Sequence, residues 1–272
     1  MLKDITLGQY YSADSPIHKA DPRIKLLSLI VFLVTVLISK SPVSYLISFL
    51  SVVLLVAVSR IPFKLILKNL KSLIFIILIT TAITLFISKG DTLLFKWKFI
   101  EIYKEGILNS VYLIIRFVCM LCGSFVLISY TTLPLDLTEG IEKLLKPLTL
   151  FNIHVHDFAM MMSIALRFIP TFIEETNKII SAQKARGADF DSGGLIKRVK
   201  AFVPILIPLF VSAFRRAGDL ADAMECRCYN RGVGHTRMKQ LHLKWTDFVV
   251  LFCFVLVLVL VLIFNRPEFF FI

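Results

Sequence analysis

The chain has 272 residues, of which 57% are hydrophobic and only 18% charged, and its mean hydropathy is +0.80. This apolar excess argues against an ordinary soluble domain, where about half of the residues are apolar. The net formal charge of +12 would favour nucleic acid as a partner of a soluble protein. Here, however, the basic residues lie between long apolar runs, which favours orientation in a membrane and no nucleic-acid partner.

Polar residues dominate the N-terminal 25 positions, which contain no cleavable signal peptide. We predict a cytoplasmic segment at 1–25, four transmembrane helices within 26–130, a cytoplasmic region at 131–244, and a last transmembrane helix with a short tail at 245–272. The five apolar runs that predict the spans are 26–39, 43–58, 72–88, 107–130 and 247–264.

Lysine and arginine counts predict the orientation of these spans in the bilayer. With the N-terminus in the cytoplasm, the predicted inner segments 1–25, 59–71 and 131–244 carry 24 basic residues, and the outer segments carry 6. Cytoplasmic loops are the basic ones in most membrane proteins. The predicted fold class is therefore all-α integral membrane, with about five transmembrane helices plus a cytoplasmic domain of about three long amphipathic helices.

The region 131–244 is too long for a connection and too apolar for a solvated domain. Apolar residues at helical spacing, Leu137, Ile141, Leu144 and Leu148, predict its first helix. Residues 156–187 predict a second helix bent at Pro170, and residues from about Pro204 to Tyr229 a third. Two shorter apolar stretches, 158–172 and 202–214, contain a proline or a charge, and we interpret them as surface or protein-facing helices. Seven spans with the same end orientation would result if both crossed the membrane.

Two short motifs centred on arginine end the second and third of these helices. The first is Ala185-Arg186-Gly187, and the second, 41 residues later, is Cys226-Arg227-Cys228. An arginine at a helix end can reach beyond the helix, and its planar fork can grip a carboxylate with two parallel hydrogen bonds. Each arginine alone could be an ordinary solvated cation interacting with the helix dipole.

The paired motifs resemble those of the T component of energy-coupling factor (ECF) transporters, a family that includes the cobalt-transport T proteins. The segment 15–25 and the stretch Arg167–Pro170, followed by two glutamates, also resemble this family. The chain departs from the family where cysteines replace the usual small neighbours of Arg227. Its length and N-terminal sequence resemble the shared kind of T component.

The resemblance implies a coupling domain that docks two ABC ATPase subunits, one per arginine motif. A separate membrane protein, the S component, would carry a vitamin or metal ion and pack on the apolar face of the same helices. The residues that we assign to this contact are Met161, Phe168, Phe210, Phe214 and Met224. The protein is expected in the plasma membrane of a prokaryote, as a multi-pass protein in contact with the lipid bilayer.

We expect no enzymatic activity, no cofactor and no metal site in this chain. No phosphate-binding loop of the type Gly-x-x-x-x-Gly-Lys-Ser/Thr occurs in the sequence. A cluster of His154, His156 and Asp157 fits a helix start better than a metal site, and Cys226 and Cys228 lack the usual zinc spacing, with only His235 nearby. The alternatives are a self-sufficient secondary transporter and a membrane-embedded enzyme.

Two further features have two interpretations each, and a third has one. Arg116, in the fourth predicted span, could face the helix bundle or extend outward to the interface. The triplet at 160–162, Met-Met-Met, could be plain core or an exchangeable partner contact. Cys119, Cys122 and Cys253 lie in apolar runs and are interpreted as small buried hydrophobic residues.

Overall fold

A computed structural model describes residues 10–88, 92–97, 100–151, 154–188, 194–229 and 243–265. The chain divides into two compact units. Gly8–Gly140 and Leu241–Ile272 belong to one, which we call the bundle unit, and Ile141–Gln240 belong to the other, which we call the helix-pair unit. The boundary between Gly140 and Ile141 falls within one helix.

Helices form the framework of both units, apart from one short antiparallel hairpin. In chain order the elements are α1 (Pro16–Lys19), α2 (Pro22–Ile38), α3 (Pro42–Ser59), α4 (Phe63–Ile87), β1 (Leu93–Trp97), β2 (Ile100–Tyr103), α5 (Lys104–Ser124), a π-helix (Phe125–Tyr130), α6 (Pro134–Leu145), a 3₁₀ helix (Lys146–Phe151), α7 (Val155–Ala185), α8 (Leu195–Cys226) and α9 (Trp245–Phe264). The helical content confirms the predicted fold class.

Within the described residues, five helices are long and apolar enough to cross a membrane. Four of them, α3, α4, α5 with its π-helical extension, and α9, contain predicted spans. The fifth is the part of α8 from Lys200 to Cys226, where we predicted no span. The remaining predicted span lies in α2, whose 17 residues are at the short limit for crossing a bilayer. The cytoplasmic position of α8 and the predicted domain bounds stay predictions.

Several helices of the bundle unit start with the same local chemistry, a polar N-cap followed by proline. Ser15, Asp21 and Ser41 precede Pro16, Pro22 and Pro42, respectively, and the side chain of each accepts a hydrogen bond from a backbone N–H of the first turn. Such caps satisfy donors that have no partner within the helix, and proline there loses no hydrogen bond. These dipeptides fix where α1, α2 and α3 begin.

The apolar core of the bundle unit forms where α2, α3, α5, the π-helix and α9 meet. Phe32 of α2 lies edge-on to Phe254 of α9, with 6.0 Å between ring centroids. Cys119 and Cys122 are buried in this core, as predicted, whereas Cys253 is exposed on α9. The prediction for Cys253 was wrong because an apolar run does not tell which of its faces is turned away from the bundle.

Buried polar groups tie the ends of the bundle helices together. Lys25 is only 2% exposed, and its Nζ donates to the carbonyl oxygens of Thr131 at 2.7 Å and His18 at 3.2 Å. The buried carboxylate of Asp247 accepts from the backbone N–H groups of Asp21 at 3.2 Å and Lys244 at 2.8 Å. Polar groups removed from water need such partners, and the set joins the N-terminal segment, α2, α9 and the end of the π-helix.

Serines connect α3 to α9 on the same unit. Ser41 Oγ donates to the carbonyl of Phe264 at 3.0 Å, and Ser44 Oγ donates to that of Val261 at 3.5 Å. Asn265 accepts from the backbone of Lys40 and donates to the carbonyl of Ile38, both at 3.0 Å. Small polar residues let helices approach closely in a membrane, where apolar burial provides little net attraction between them.

The structure corrects three predicted boundaries. The segment 89–106, expected as a loop, contains the hairpin of β1 and β2 and the start of α5. α4 begins at Phe63, so that its lysines belong to the helix and not to a loop. α8 begins at Leu195, nine residues before the predicted start, because Pro204 and Pro208 are accommodated inside the helix. α7 likewise continues through Pro170.

The close approach of α5 to α2 generates a testable prediction. A Cβ added to Gly123 would overlap the ring of Phe32, so Gly123→Val should destabilise the bundle by about 1–3 kcal/mol through overpacking. The thermal denaturation midpoint of the detergent-purified protein would measure this. In a Phe32→Ala background the same Gly123→Val change should cost less than in the parent, because the ring that the new side chain overlaps is gone. Gly218→Ala is the control, because nothing lies within 4 Å of its added Cβ, and an equal loss there would contradict the interpretation.

Candidate functional site

The C-terminal end of α7 carries the first predicted motif. Arg186 is the C-cap residue, and Gly187 follows with a φ of 83°. The N–H of Gly187 donates to the carbonyl of Lys184, and that of Ala188 to the carbonyl of Gln183, both at 3.0 Å. This is the Schellman pattern, in which a left-handed residue ends the helix and satisfies its last carbonyls. Glycine is favoured here because its φ is positive.

The C-terminal end of α8 repeats this arrangement. Arg227 is the C-cap residue, and Cys228 takes the left-handed position with a φ of 55°. The N–H of Cys228 donates to the carbonyl of Glu225 at 2.8 Å, and that of Tyr229 to the carbonyl of Met224 at 3.0 Å. Both helix ends therefore have the same geometry, and both arginine side chains are exposed and available to a partner.

The helix-pair unit places the two arginines far from each other. The first turn of α7 and the last turn of α8 line one cavity of about 640 Å³, so Arg227 lies beside the start of α7. Arg186 lies at the other end of the same helix, which has 31 residues. At about 1.5 Å per residue, a straight helix of this length extends roughly 45 Å. A single small ligand therefore cannot contact both motifs.

The cavity between α7 and α8 brings together two of the residues assigned to the S-component contact. Its lining consists of Met161 and Met224 from that set and of His154, Asp157, Phe158, Met160, Ala221, Glu225 and Tyr229. Phe210 and Phe214 do not line it, and they are 61% and 75% exposed on α8. Phe168 is half-buried and packs against Phe172, with ring centroids 6.2 Å apart.

An ion pair between α7 and α8 was not predicted from the sequence. Arg216 Nη2 donates to Glu175 Oε2 at 2.8 Å, and the guanidinium lies over the ring of Phe172, 5.9 Å from its centroid. The glutamate appeared in the family resemblance, but no local pattern indicated which basic residue of α8 it meets. The sequence contained one indication of the pair: Glu175 and Arg216 are 41 residues apart, and so are the arginines of the two motifs.

His156, near the start of α7, has a structural role in the helix-pair unit. His156 Nδ1 lies 2.9 Å from Glu142 Oε1 and so connects α7 to the end of α6. His154 is the N-cap residue, and Asp157 lies in the first turn, where a negative charge favours the helix. In the described part of the chain, no three histidine, cysteine or acidic residues are grouped to hold a metal ion. His235 lies outside the described residues.

Arg116 faces the interior of the bundle unit. Its Nη2 donates to the carbonyl of Ser39 at 3.0 Å and to the hydroxyl of Tyr45, and the guanidinium lies over the Tyr45 ring. Tyr45 in turn stacks on Tyr112, with ring centroids 4.9 Å apart. Of the two interpretations, pairing inside the bundle is the one that the structure supports, because these contacts join α5 to α2 and α3.

Comparisons with known proteins identify the family to which this chain belongs. The family model described as "Cobalt transport protein" (CbiQ) matches residues 13–239, which include both arginine motifs and the two helices that end in them. The chain belongs to the cobalt transport protein family. This result confirms the family that the sequence motifs indicated.

Relatives with the name "Energy-coupling factor transporter transmembrane protein EcfT" match nearly the whole chain. The protein of Clostridium kluyveri is 47% identical over 98% of both chains. That of Acidaminococcus fermentans is 49% identical over 89% of both, and that of Bacillus subtilis is 40% identical over 90% of this chain and 92% of its own. These names favour a membrane component of an ECF transporter over a self-sufficient secondary transporter or a membrane-embedded enzyme.

The left-handed cysteine provides a prediction specific to this member of the family. A non-glycine residue in this conformation costs about 1–2 kcal/mol, so Cys228→Gly should stabilise the end of α8 by about 1 kcal/mol. The reciprocal change Gly187→Cys should destabilise the end of α7 by a similar amount. Hydrogen exchange of the Tyr229 and Ala188 amides, which form the two caps, would measure both effects. Faster exchange of Tyr229 in Cys228→Gly would contradict this account of the cap.

Proposed function

We propose that this chain is the coupling subunit of an ECF-type importer in the plasma membrane of a prokaryote. The observation that carries the proposal is the pair of equivalent helix ends, each presenting an exposed arginine at a Schellman cap. Their separation by the length of α7 suits two partners, and we assign one ABC ATPase subunit to each. The motif residues that form these contacts are Ala185, Arg186, Gly187, Cys226, Arg227 and Cys228.

The chemistry of arginine explains why this residue would carry the contact. A guanidinium offers five donors in a rigid fork, which matches a carboxylate or a set of carbonyl oxygens on the partner. At the C-cap the backbone has already left the helical path, so the side chain extends beyond the last turn. An ATPase groove with acidic or carbonyl acceptors could then hold the helix end in one orientation.

The second partner in this proposal is the S component, which carries the vitamin or metal ion. Phe210 and Phe214 expose large apolar side chains on α8, and Met161 is 58% exposed at the cavity. Exposed apolar groups in such number mark a membrane or protein contact. Met224 adds a flexible, polarizable side chain, which suits a surface that accepts several partners in turn. Phe168 is assigned to the same contact.

ATP would be hydrolysed by the two ATPases and not by this chain. The sequence has no phosphate-binding loop, and no cofactor enters the proposed role. Movement of the ATPases would be passed through Arg186 and Arg227 to α7 and α8, and from these helices to the S component. The sequence resemblance favours the shared kind of coupling subunit, which serves several S components.

Alanine substitutions of the two arginines test the docking role. Removing one partner of a desolvated charged pair costs about 2–5 kcal/mol, so Arg186→Ala and Arg227→Ala should each weaken one ATPase contact. The double variant should release both ATPases, and lysine at either position should restore binding only in part, because the fork is lost. Co-purification of the ATPases and substrate uptake would be measured together.

The control for these variants is Arg215→Ala, which removes an exposed arginine from the middle of α8. It should leave ATPase binding unchanged. Normal uptake with bound ATPases in the double alanine variant would show that Arg186 and Arg227 are ordinary surface cations.

Cysteine labelling in cells tests the proposed orientation, with the N-terminus and the helix pair in the cytoplasm. Thr149 and Thr92 are both exposed, and the proposed topology puts them on opposite sides of the membrane. In a background without reactive native cysteines, Thr149→Cys should react only with a membrane-permeant maleimide, whereas Thr92→Cys should react with an impermeant one. The inverse pattern would overturn the charge-based orientation.

A further inference from the structure

We propose that Glu175 and Arg216 are positioning residues that fix the packing of α7 against α8 and thereby the separation of Arg186 and Arg227. This inference rests on the proposed docking role of the two arginines. Together, the two side chains would set the distance between the docking contacts of Arg186 and Arg227, which neither side chain could do alone.

The contacts around Arg216 form a directional joint between the two helices. Its guanidinium donates to Glu175 at 2.8 Å and lies over Phe172 of the same helix, while its Nε lies 3.4 Å from Ser212 Oγ one turn earlier on α8. The side chains of the pair are only 36% and 23% exposed. A partly buried, charge-assisted hydrogen bond has a narrow preferred geometry, and the ring below restricts the guanidinium plane further.

The position of the pair along the helices is the second observation. Glu175 precedes Arg186 by eleven residues, and Arg216 precedes Arg227 by eleven. Because Arg227 lies beside the start of α7 and Arg186 at its end, the two eleven-residue arms extend in opposite directions. Each arm is roughly 16 Å long at about 1.5 Å per residue. The ion pair therefore lies between the two arginines, eleven residues along the chain from each.

The cavity between α7 and α8 increases the contribution of the ion pair to the relative orientation of the two helices. This cavity is a surface groove of about 640 Å³ that lies between side chains of the first turn of α7 and those of the last turn of α8. Close-packed apolar side chains normally fix the relative orientation of two helices. Where that packing is open, a directional polar contact has a larger share in setting the orientation of the two helices.

The test measures the distance between the two arms in the full-length purified protein. Ala182 and Ala223 are exposed and each precedes its arginine by four residues, so cysteines at both positions would carry spin labels after Cys226, Cys228 and Cys253 are replaced by serine. Pulsed electron spin resonance would give the distance distribution. Glu175→Gln and Arg216→Gln should each shift and broaden it, because the charged contact is lost.

Charge reversal and neighbouring residues provide the controls. The combined Glu175→Arg and Arg216→Glu variant should return the distribution toward that of the parent, since the ion pair is restored with its partners exchanged. Glu174→Gln and Arg215→Gln change the exposed sequence neighbours and should leave it unchanged. The proposal is overturned if the two single variants coincide with the parent, or if the neighbour controls broaden the distribution as much.

In the complete complex, Glu175→Gln and Arg216→Gln should reduce uptake while the ATPases stay bound, because both docking arginines are intact. ATPases that stay bound in the double alanine variant of Arg186 and Arg227, together with broadened distances in Glu175→Gln, would refute docking and leave the positioning role intact. Release of the ATPases in the alanine variant, together with unchanged distances in Glu175→Gln, would refute positioning alone.

Discussion

The hydrogen bonds that end α7 and α8 are the interactions on which the candidate site depends. A helix leaves its last carbonyl groups without partners, and in each case two backbone N–H groups beyond the C-cap satisfy them. The exposed arginine occupies the C-cap at both ends. The same hydrogen bonds therefore set where each helix ends and in which direction the arginine leaves it, before any partner binds.

The bundle unit is held by a different kind of interaction. Its helices leave many apolar side chains exposed, as expected for surfaces in contact with lipid, and much of its specificity comes from polar groups between the helices. Lys25, Asp247 and the serines at the start of α3 have their partners within the unit. Arg116 also has its hydrogen-bond partners within the unit, at the end of α2 and in α3.

Much of this architecture was predictable from local patterns. Apolar runs identified the hydrophobic segments, and the two motifs placed arginines at helix ends, where the structure has them. The start of α8 was not predictable in this way, because prolines usually begin helices but here lie inside one. Nor was the pair of Glu175 and Arg216, since periodicity describes each helix alone and does not tell which faces of two helices meet.

The repeated helix ends have a consequence for symmetry. Two like subunits normally meet through a two-fold axis, and a single chain that binds both of them cannot possess that axis. In the proposed complex, two arginine motifs 41 residues apart would give this chain a substitute, because they present the same chemical group in the same backbone setting twice. The two settings are not identical, because a glycine takes the left-handed position at one end and a cysteine at the other. An asymmetric chain of this kind could distinguish two partners that are themselves nearly identical.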